Sequence, residues 1–271
     1  KMALERLFRV EHYPALRKHG RKHRRLQIYQ LSDVHLGAKT HLNDAFLDVV
    51  DKIRRTNHTR WIGHGDLIEN NTRTSVGEGV YEQESTPNDQ LLELIDILRP
   101  IRRKCVGLSR GNHEARTSKS EGVDVVDMLC KHLEIPRLLS HSLHTFHLPT
   151  GQSYTLLVTH GRSGASTMGG KINAVEKLAA IYEADGYMYG HVHGLLKWDN
   201  IIHGPDGDKL RRFAINGSFM AYIDSYAQES EYKPGIPGYM VCLIGEDGLE
   251  FVENRIGWPM SRPVKMGGMK P

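Results

Sequence analysis

The sequence predicts an α/β fold in which two β-sheets form the core and helices lie outside them. In the first half of the chain, short β-prone segments alternate with segments whose apolar residues recur at helical spacing. The second half contains mostly short apolar segments separated by glycine-rich turns, which favours antiparallel strands. With 271 residues, of which 39% are hydrophobic, the chain is long enough to bury a full core.

Each predicted strand of the first half is followed by polar residues. We expect strands at 26–31, 61–63 and 105–108, and helices at 42–57 and 88–99. The polar motifs that follow these strands are Asp33-Val34-His35, Gly65-Asp66 and Gly111-Asn112-His113-Glu114. Ligand sites in open α/β sheets gather at the carboxyl ends of the strands, so we expect the three motifs to meet there.

The second half adds two further polar motifs to a predicted set of strands. We expect a hairpin of strands 145–148 and 154–158, a helix at 171–183, and strands at 187–189, 195–202, 210–215, 239–244 and 249–253. His160-Gly161 follows the hairpin, and Gly190-His191-Val192-His193-Gly194 follows strand 187–189. We find no internal repeat, no low-complexity segment and no interdomain linker, and therefore predict one domain.

We place this domain at residues 26–257, after a basic N-terminal extension at 1–25 and before a peripheral tail at 258–271. The run from Arg17 to Arg25 contains six Lys or Arg residues and two His residues, within a chain whose net charge is only +4. Such a run is typical of a segment that contacts a phosphate backbone. A solvated connector that leads into the first strand is the alternative, and it is slightly favoured.

Cysteine usage and hydropathy indicate the compartment. Cys105, Cys130 and Cys242 are odd in number and widely spaced in apolar surroundings, as expected for reduced core thiols rather than a disulfide framework. The chain has no uninterrupted apolar run long enough for a membrane span. We expect a cytoplasmic protein without a membrane partner, and the sequence leaves its oligomeric state open.

The polar motifs carry too many ligand groups for a structural zinc site. Besides His113, they supply two Asp, one Asn and four His side chains, whereas a structural zinc ion takes four ligands and is then closed. Two adjacent metal ions use the whole set. A pair of metal ions with open coordination positions indicates an enzyme.

The ordered set Asp-x-His, Gly-Asp, Gly-Asn-His-Glu, His-Gly and Gly-His-x-His resembles the calcineurin-like metallophosphoesterase superfamily. The resemblance spans residues 33 to 193, and it rests on the order and number of the motifs, since each motif alone occurs by chance in many chains. It implies an αββα sandwich of two mixed β-sheets flanked by helices, with a dinuclear metal site at the strand ends.

The resemblance also implies which residues hold each metal ion. It places Asp33, His35, Asp66 and His193 on one ion, and Asp66, Asn112, His160 and His191 on the other, with Asp66 bridging. The ligand types suit Mn best in our interpretation, with Fe, Ni or Zn as alternatives. The nucleophile of such a site is a water molecule shared by the two ions.

By the same resemblance, His113 lies beside the metals as the catalytic residue. It would protonate the leaving alkoxide or donate to a phosphoryl oxygen, and either Glu114 or a backbone carbonyl would orient it. His64 and His41 are close enough in sequence to the metal ligands to form hydrogen bonds with them, although a structural or solvated position is favoured for both. We assign no role to the remaining histidines, most of which we expect at the surface.

The substrate is expected to be a phosphoester. The protein Ser/Thr phosphatases of the superfamily continue Gly-Asp with a further Asp-Arg-Gly, which this chain lacks because Leu67, Ile68 and Glu69 follow Asp66. Glu69 fits the nuclease branch loosely, and Glu114 stands where that branch has Asp. We therefore favour a phosphodiesterase acting on nucleotides or nucleic acid. A broad-range phosphomonoesterase and a non-catalytic nucleic-acid-binding scaffold are the alternatives.

Candidate substrate contacts lie close to the ligand motifs and in the long loop at 70–88. They are Arg110, Arg116, Arg162, Arg73 and Tyr81. Long loops on a rigid scaffold commonly carry specificity. The small residues between Arg162 and Gly170 would also let a phosphate approach the backbone, although a flexible connector explains them as simply.

Overall fold

The structure is a computed structural model that describes residues 8–12, 25–73, 75, 81, 83–205, 207–222 and 235–257. Within these ranges, eleven strands form one sheet of six strands and one of five. Within the described ranges, no helix has the length and apolar character needed to cross a lipid bilayer.

The five-stranded sheet is built mainly from the first half of the chain. Its strands are β2 (Leu26–Leu31), β3 (Thr59–His64), β4 (Cys105–Ser109), β10 (Gly238–Gly245) and β11 (Gly248–Arg255). Their order is β11-β10-β2-β3-β4, with β2, β3 and β4 parallel and β10 antiparallel to β2. The carboxyl ends of β2, β3 and β4 therefore lie along one edge, as the sequence predicts.

The six-stranded sheet is built from the second half, with one strand added from the N-terminal region. Its strands are β1 (Phe8–His12), β5 (His141–His147), β6 (Ser153–Thr159), β7 (Gly186–Tyr189), β8 (Leu196–Ile202) and β9 (Lys209–Ile215). Their order is β1-β5-β6-β7-β9-β8. The neighbours β6 and β7 are parallel, so the residues that follow them also share an edge.

The helices lie on the outer faces of the two sheets. They are α1 (Asn43–Arg55), α2 (Pro87–Leu98), α3 (Glu114–Ser120), α4 (Val125–Leu133) and α5 (Met168–Ala179). Apolar residues of α1, α2 and α4 pack on the five-stranded sheet, and those of α5 pack on the six-stranded sheet. A third apolar cluster fills the space between the sheets. The predicted αββα sandwich of two mixed sheets is confirmed.

Among the described residues, some elements were not predicted from the sequence, including a short 3-10 helix at Arg99–Lys104. Helices α3 and α4 follow the Gly111-Asn112-His113-Glu114 motif, and strand β1 pairs in parallel with β5, with Phe8 opposite Leu143. Part of the predicted N-terminal extension is thus a strand of the sheet. Of the basic run, only Arg25 is described, and the tail at 258–271 lies outside the described residues.

The expectation of surface histidines is wrong for His144. This residue lies on β5, is fully buried, and its Nε2 shares a hydrogen bond of 2.9 Å with the Ser142 hydroxyl. The expectation of core thiols fits Cys130 and Cys242, which are buried and free, whereas Cys105 is half-buried.

A lysine side chain closes the C-terminal end of helix α1. Its apolar face, which includes Phe46, Val49 and Ile53, is buried against the sheet. The last carbonyl groups of a helix have no partner within the helix. The ammonium group of Lys104 donates to the carbonyl oxygens of Ile53 at 2.6 Å and Thr56 at 2.6 Å, and so replaces those missing partners.

We expect Lys104→Met to lower the free energy of unfolding by roughly 1–3 kcal/mol, because charge-assisted hydrogen bonds to carbonyl groups are lost. Urea denaturation followed by circular dichroism measures the change. The control is Arg103→Met, since Arg103 is exposed next to Lys104. Equal midpoints for the two variants would contradict the capping role.

Candidate metal centre

The expected metal ligands converge where the two sheets meet. Asp33 and His35 follow β2, Asp66 follows β3, and Asn112 follows β4, all on the five-stranded sheet. His160 follows β6, and His191 and His193 follow β7, on the six-stranded sheet. The Nε2 atom of His193 lies 3.1 Å from Asp33 Oδ1, and His160 Nε2 lies 3.1 Å from Asp66 Oδ2. The site is therefore assembled from both sheets.

The ligand atoms fall into two neighbouring groups. Asp33, His35 and His193 offer donor atoms within 4.8 Å of one another, and so do Asp66, His160 and His191. The side-chain oxygen of Asn112 lies 2.9 Å from His160 Nε2 and so extends the second group. The first group contains three of the four residues that the resemblance implies for one ion. His35 also belongs to a further group of candidate donors, with Glu69 and His113.

The residues present fit metal ions. Asp33, His35, Asp66 and His160 are almost completely buried, so their polar atoms need partners. The Nε2 atom of His35 is buried and has no hydrogen-bond partner in the structure. A buried imidazole nitrogen beside two carboxylates, with no protein partner, is suited to binding a cation. Imidazole and carboxylate donors are ligands for the late first-row divalent metals.

Several ligands are held in a strained backbone conformation. Five of the seven expected ligands have positive φ angles, namely Asp33 at 55°, His35 at 52°, Asp66 at 51°, His191 at 66° and His193 at 47°. This left-handed region is unfavourable for residues other than glycine and is concentrated at functional sites. The strain turns each side chain sharply from the strand direction toward the centre.

Glycine allows the two motifs that carry Asp33 and His191 to approach closely. A Cβ atom at Gly190 would collide with the Ser32 hydroxyl and with Asp33 Oδ2. The backbone N–H of His191 donates to Asp33 Oδ1 at 2.9 Å, and the Ser32 hydroxyl donates to Asp33 Oδ2. The glycine before the first histidine of Gly-His-x-His is thus required by packing.

Electrostatic pairing determines the protonation of the buried groups. Burial acts to raise the pKa of Asp33, but the hydrogen bond and the positive charge of His193 lower it by more, so that the pKa is about 2. Burial likewise acts to raise the pKa of Asp66, while His160 and His113 hold it well below its ordinary value. Burial lowers the pKa of His160, but the Asp66 carboxylate raises it to about 9. In this arrangement a proton on His160 neutralises Asp66.

His113 lies at the rim of the first group. Its ring is 4.4 Å from the His35 ring, and its Nδ1–H donates to the backbone carbonyl of Glu69 at 2.7 Å. Its Nε2 accepts a hydrogen bond of 3.0 Å from Arg116 Nη2. Burial lowers the pKa of His113 to about 4, so near neutral pH the ring is uncharged with its proton on Nδ1. Its Nε2 lone pair faces a guanidinium group.

Glu114 does not orient His113, so that alternative is wrong and the backbone carbonyl is the orienting group. The carboxylate of Glu114 is buried and accepts N–H bonds from Asp66 at 3.0 Å, Leu67 at 2.6 Å and Gly111 at 2.9 Å. It therefore fastens the loop that carries Asp66 to the loop that carries Asn112. Sequence reasoning missed this structural role because the bonded amides of Asp66 and Leu67 lie nearly fifty residues away.

His64 is hydrogen-bonded to a candidate ligand, and His41 is hydrogen-bonded to the loop that carries two of them. His64 is fully buried, and its backbone carbonyl accepts a 2.9 Å hydrogen bond from His160 Nδ1. The Nδ1 atom of His41 lies 2.8 Å from the carbonyl oxygen of Val34, the residue between Asp33 and His35 in the sequence. Both residues support the ligand loops, and neither is fully solvated.

The candidate substrate contacts are placed unequally. Arg116 is brought to His113, whereas Arg110 turns away toward Ser118, with a 2.8 Å hydrogen bond, and toward Asp124. Arg162 and Arg73 are exposed, and Tyr81 is 75% exposed. In the loop after His160, the N–H groups of Arg162 and Ser163 donate to the Tyr189 hydroxyl, so these amides do not form a phosphate cradle.

The comparisons with known proteins find only remote similarity. No family model matches the chain, and no curated protein matches it. Vacuolar protein sorting 29 from Cryptosporidium parvum is 9% identical over 86% of this chain and 99% of its own, with a TM-score of 0.42. The nuclease MPE from Pseudomonas putida is 16% identical over 83% of this chain and 87% of its own, with a TM-score of 0.37. A predicted phosphoesterase from Streptococcus pneumoniae TIGR4 is 13% identical over 85% of this chain and 98% of its own, with a TM-score of 0.37.

We expect Glu114→Gln to lower the free energy of unfolding by roughly 2–4 kcal/mol, because one of the two acceptor oxygens becomes an NH2 group that faces buried N–H groups. Urea denaturation of the metal-stripped protein measures this. The control is Glu121→Gln, at an exposed residue just after α3. A Glu114→Gln variant within about 0.5 kcal/mol of the parent would contradict the fastening role.

We expect metal binding at the group that contains His160 to release one proton near neutral pH. A pKa of about 9 means that His160 is protonated at pH 7, and a metal ligand must be deprotonated. Affinity should therefore rise about tenfold per pH unit between pH 6 and pH 8. Calorimetric titration in two buffers of different ionisation enthalpy counts the protons, and no release at pH 7 would contradict the expectation.

Proposed function

We propose that this protein is a metal-dependent phosphoesterase of the calcineurin-like superfamily, and that it hydrolyses phosphodiester bonds of nucleotides or nucleic acid. The observation that carries the proposal is the pair of neighbouring ligand groups, which combine with His113 and Arg116 at their rim. A structural metal site would need neither a second ligand group nor an imidazole and a guanidinium beside it.

Asp33, His35, Asp66 and His193 would hold one metal ion, and Asp66, Asn112, His160 and His191 the other. The near-complete burial of Asp66 beside His160 supports its place in the second set, and the electrostatic influence of Asp66 on His35 supports its place in the first. When bound, the two ions would supply a water nucleophile of lowered pKa and positive charge for the phosphoryl oxygens. We propose Mn, with Fe, Ni or Zn as alternatives.

Arg116 would bind the substrate and prepare His113. Its guanidinium is held by the Glu69 carbonyl at 3.0 Å and by the Asn71 side chain, while Nη2 donates to His113 Nε2. A phosphoryl oxygen is a stronger acceptor for a guanidinium than a neutral imidazole nitrogen. Binding of the phosphate would therefore draw Nη2 from His113 and free its Nε2 lone pair to accept a proton from the attacking water, which His113 would then donate to the leaving oxygen.

A diester substrate is supported by the residues around the metal groups. The loop after Asp66 continues with Leu67, Ile68 and Glu69, unlike the protein phosphatase pattern. The exposed ring of Tyr81 would be available for stacking on a base. Arg25 gives no support, because it lies at the opposite end of β2 from Asp33 and pairs with Asp247 and Glu250.

We expect the metal-stripped protein to regain hydrolysis of bis-p-nitrophenyl phosphate and of a single-stranded oligonucleotide when Mn²⁺ is added. Asp66→Asn should abolish turnover, because both metal groups lose a carboxylate. His113→Ala should lower kcat by roughly 10²–10⁴-fold, with metal content and Tm close to the parent values.

The comparison substrate is p-nitrophenyl phosphate. A preference for this monoester would favour the phosphomonoesterase alternative. If no phosphoester were cleaved with Mn²⁺, Fe²⁺, Ni²⁺ or Zn²⁺, the enzyme proposal would fail and the binding scaffold would be favoured.

A further inference from the structure

Glu69 stands three residues after Asp66 and is buried, with an 8% exposed surface. Its carboxylate oxygen Oε2 accepts a hydrogen bond of 2.8 Å from His35 Nδ1. The other ring nitrogen of His35 is the buried Nε2 that has no protein partner. The carboxylate thus binds one side of the imidazole and leaves the opposite nitrogen for a metal ion.

We propose that Glu69 is a positioning residue that fixes the tautomer and ring orientation of His35, and so raises the metal affinity of the group formed with Asp33 and His193. The inference rests on the proposed metal centre. A carboxylate that binds the second nitrogen of a metal-binding histidine increases the basicity of the ring and restricts its rotation. The loss of such partners generally weakens metal binding by roughly 10–100-fold.

The side chain and the backbone of Glu69 act on different partners. The carboxylate lies 3.5 Å from His113 Nδ1 and 3.6 Å from Arg116 Nη1, longer than its contact with His35. His113 and Arg116 instead donate to the backbone carbonyl of Glu69, at 2.7 Å and 3.0 Å. Glu69→Gln therefore weakens the support of His35 by removing the negative charge, and Glu69→Ala removes it, while both retain the principal hydrogen bonds that hold His113.

The backbone at this position has supports of its own. The next residue, Asn70, donates from Nδ2 to the His113 carbonyl at 2.6 Å, and its N–H donates to Gln90 Oε1 at 2.8 Å. The N–H of Glu69 donates to the Leu36 carbonyl at 3.0 Å. These bonds do not involve the Glu69 carboxylate, so the loop is expected to keep its course in Glu69→Gln.

The experiment measures Mn²⁺ binding by the metal-stripped protein in competition with a fluorescent chelator. The variants are Glu69→Gln, which keeps the size of the side chain, and Glu69→Ala, and the control is Glu121→Gln. We expect one of two sites to weaken about tenfold in Glu69→Gln and up to about 100-fold in Glu69→Ala, with the other site within about twofold of the parent.

Two further readouts separate positioning from general damage. The ¹⁵N shifts of the His35 ring should show the Nδ1–H tautomer in the parent and a mixture of tautomers in Glu69→Ala. Saturating Mn²⁺ should restore kcat of Glu69→Gln to within about threefold of the parent, because the variant lacks affinity rather than a reacting group. Arg116→Ala should show the contrasting pattern of a raised KM with unchanged metal affinity.

Unchanged affinity at both sites in Glu69→Gln and Glu69→Ala, in a parent that binds two Mn²⁺ ions and is active, would overturn this inference and leave the proposed function in place. Equal weakening of both sites would also overturn it, because the effect would not pass through His35. A parent that binds no Mn²⁺, Fe²⁺, Ni²⁺ or Zn²⁺ would overturn the proposed function itself.

Discussion

Asp33 and Asp66 are completely buried, and a buried carboxylate is stable only with N–H donors or positive charge close by. The two residues have both kinds of partner. Backbone N–H groups of His191 and His113 donate to them, and the imidazole Nε2 atoms of His193 and His160 lie 3.1 Å from Asp33 Oδ1 and Asp66 Oδ2. Because these partners come from several loops, the compensation of two negative charges determines how the loops of both sheets are arranged.

The same centre concentrates backbone strain, which the surrounding structure must offset. Each residue in the left-handed region costs on the order of 1–3 kcal/mol, and five expected ligands are in that region. Glu114 compensates by binding amides on two of the ligand loops at once. The rigid sandwich therefore stabilises a site that would not keep its shape as an isolated set of loops.

The sequence predicted the sandwich and also the position of the motifs. The motifs follow predicted strands, and the ends of parallel strands meet at one edge of a sheet, as those of β2, β3 and β4 do. The sequence did not predict α3, a short polar helix with little apolar periodicity, or α4, a helix of nine residues with a buried apolar face. It also missed the partners of Glu69 and Glu114. A carboxylate that bonds to residues thirty to fifty positions away leaves no pattern in local spacing, and only the folded chain brings those residues together.

The place of β10 in the sheet has a consequence for synthesis of the chain. Strand β2 is made early, but one of its two edges is paired with β10, which begins only at Gly238. Until that late strand leaves the ribosome, β2 presents unpaired N–H and C=O groups, the feature that promotes strand exchange between chains. Translation that stops before residue 238 would therefore yield every candidate metal ligand on a chain that is prone to aggregate.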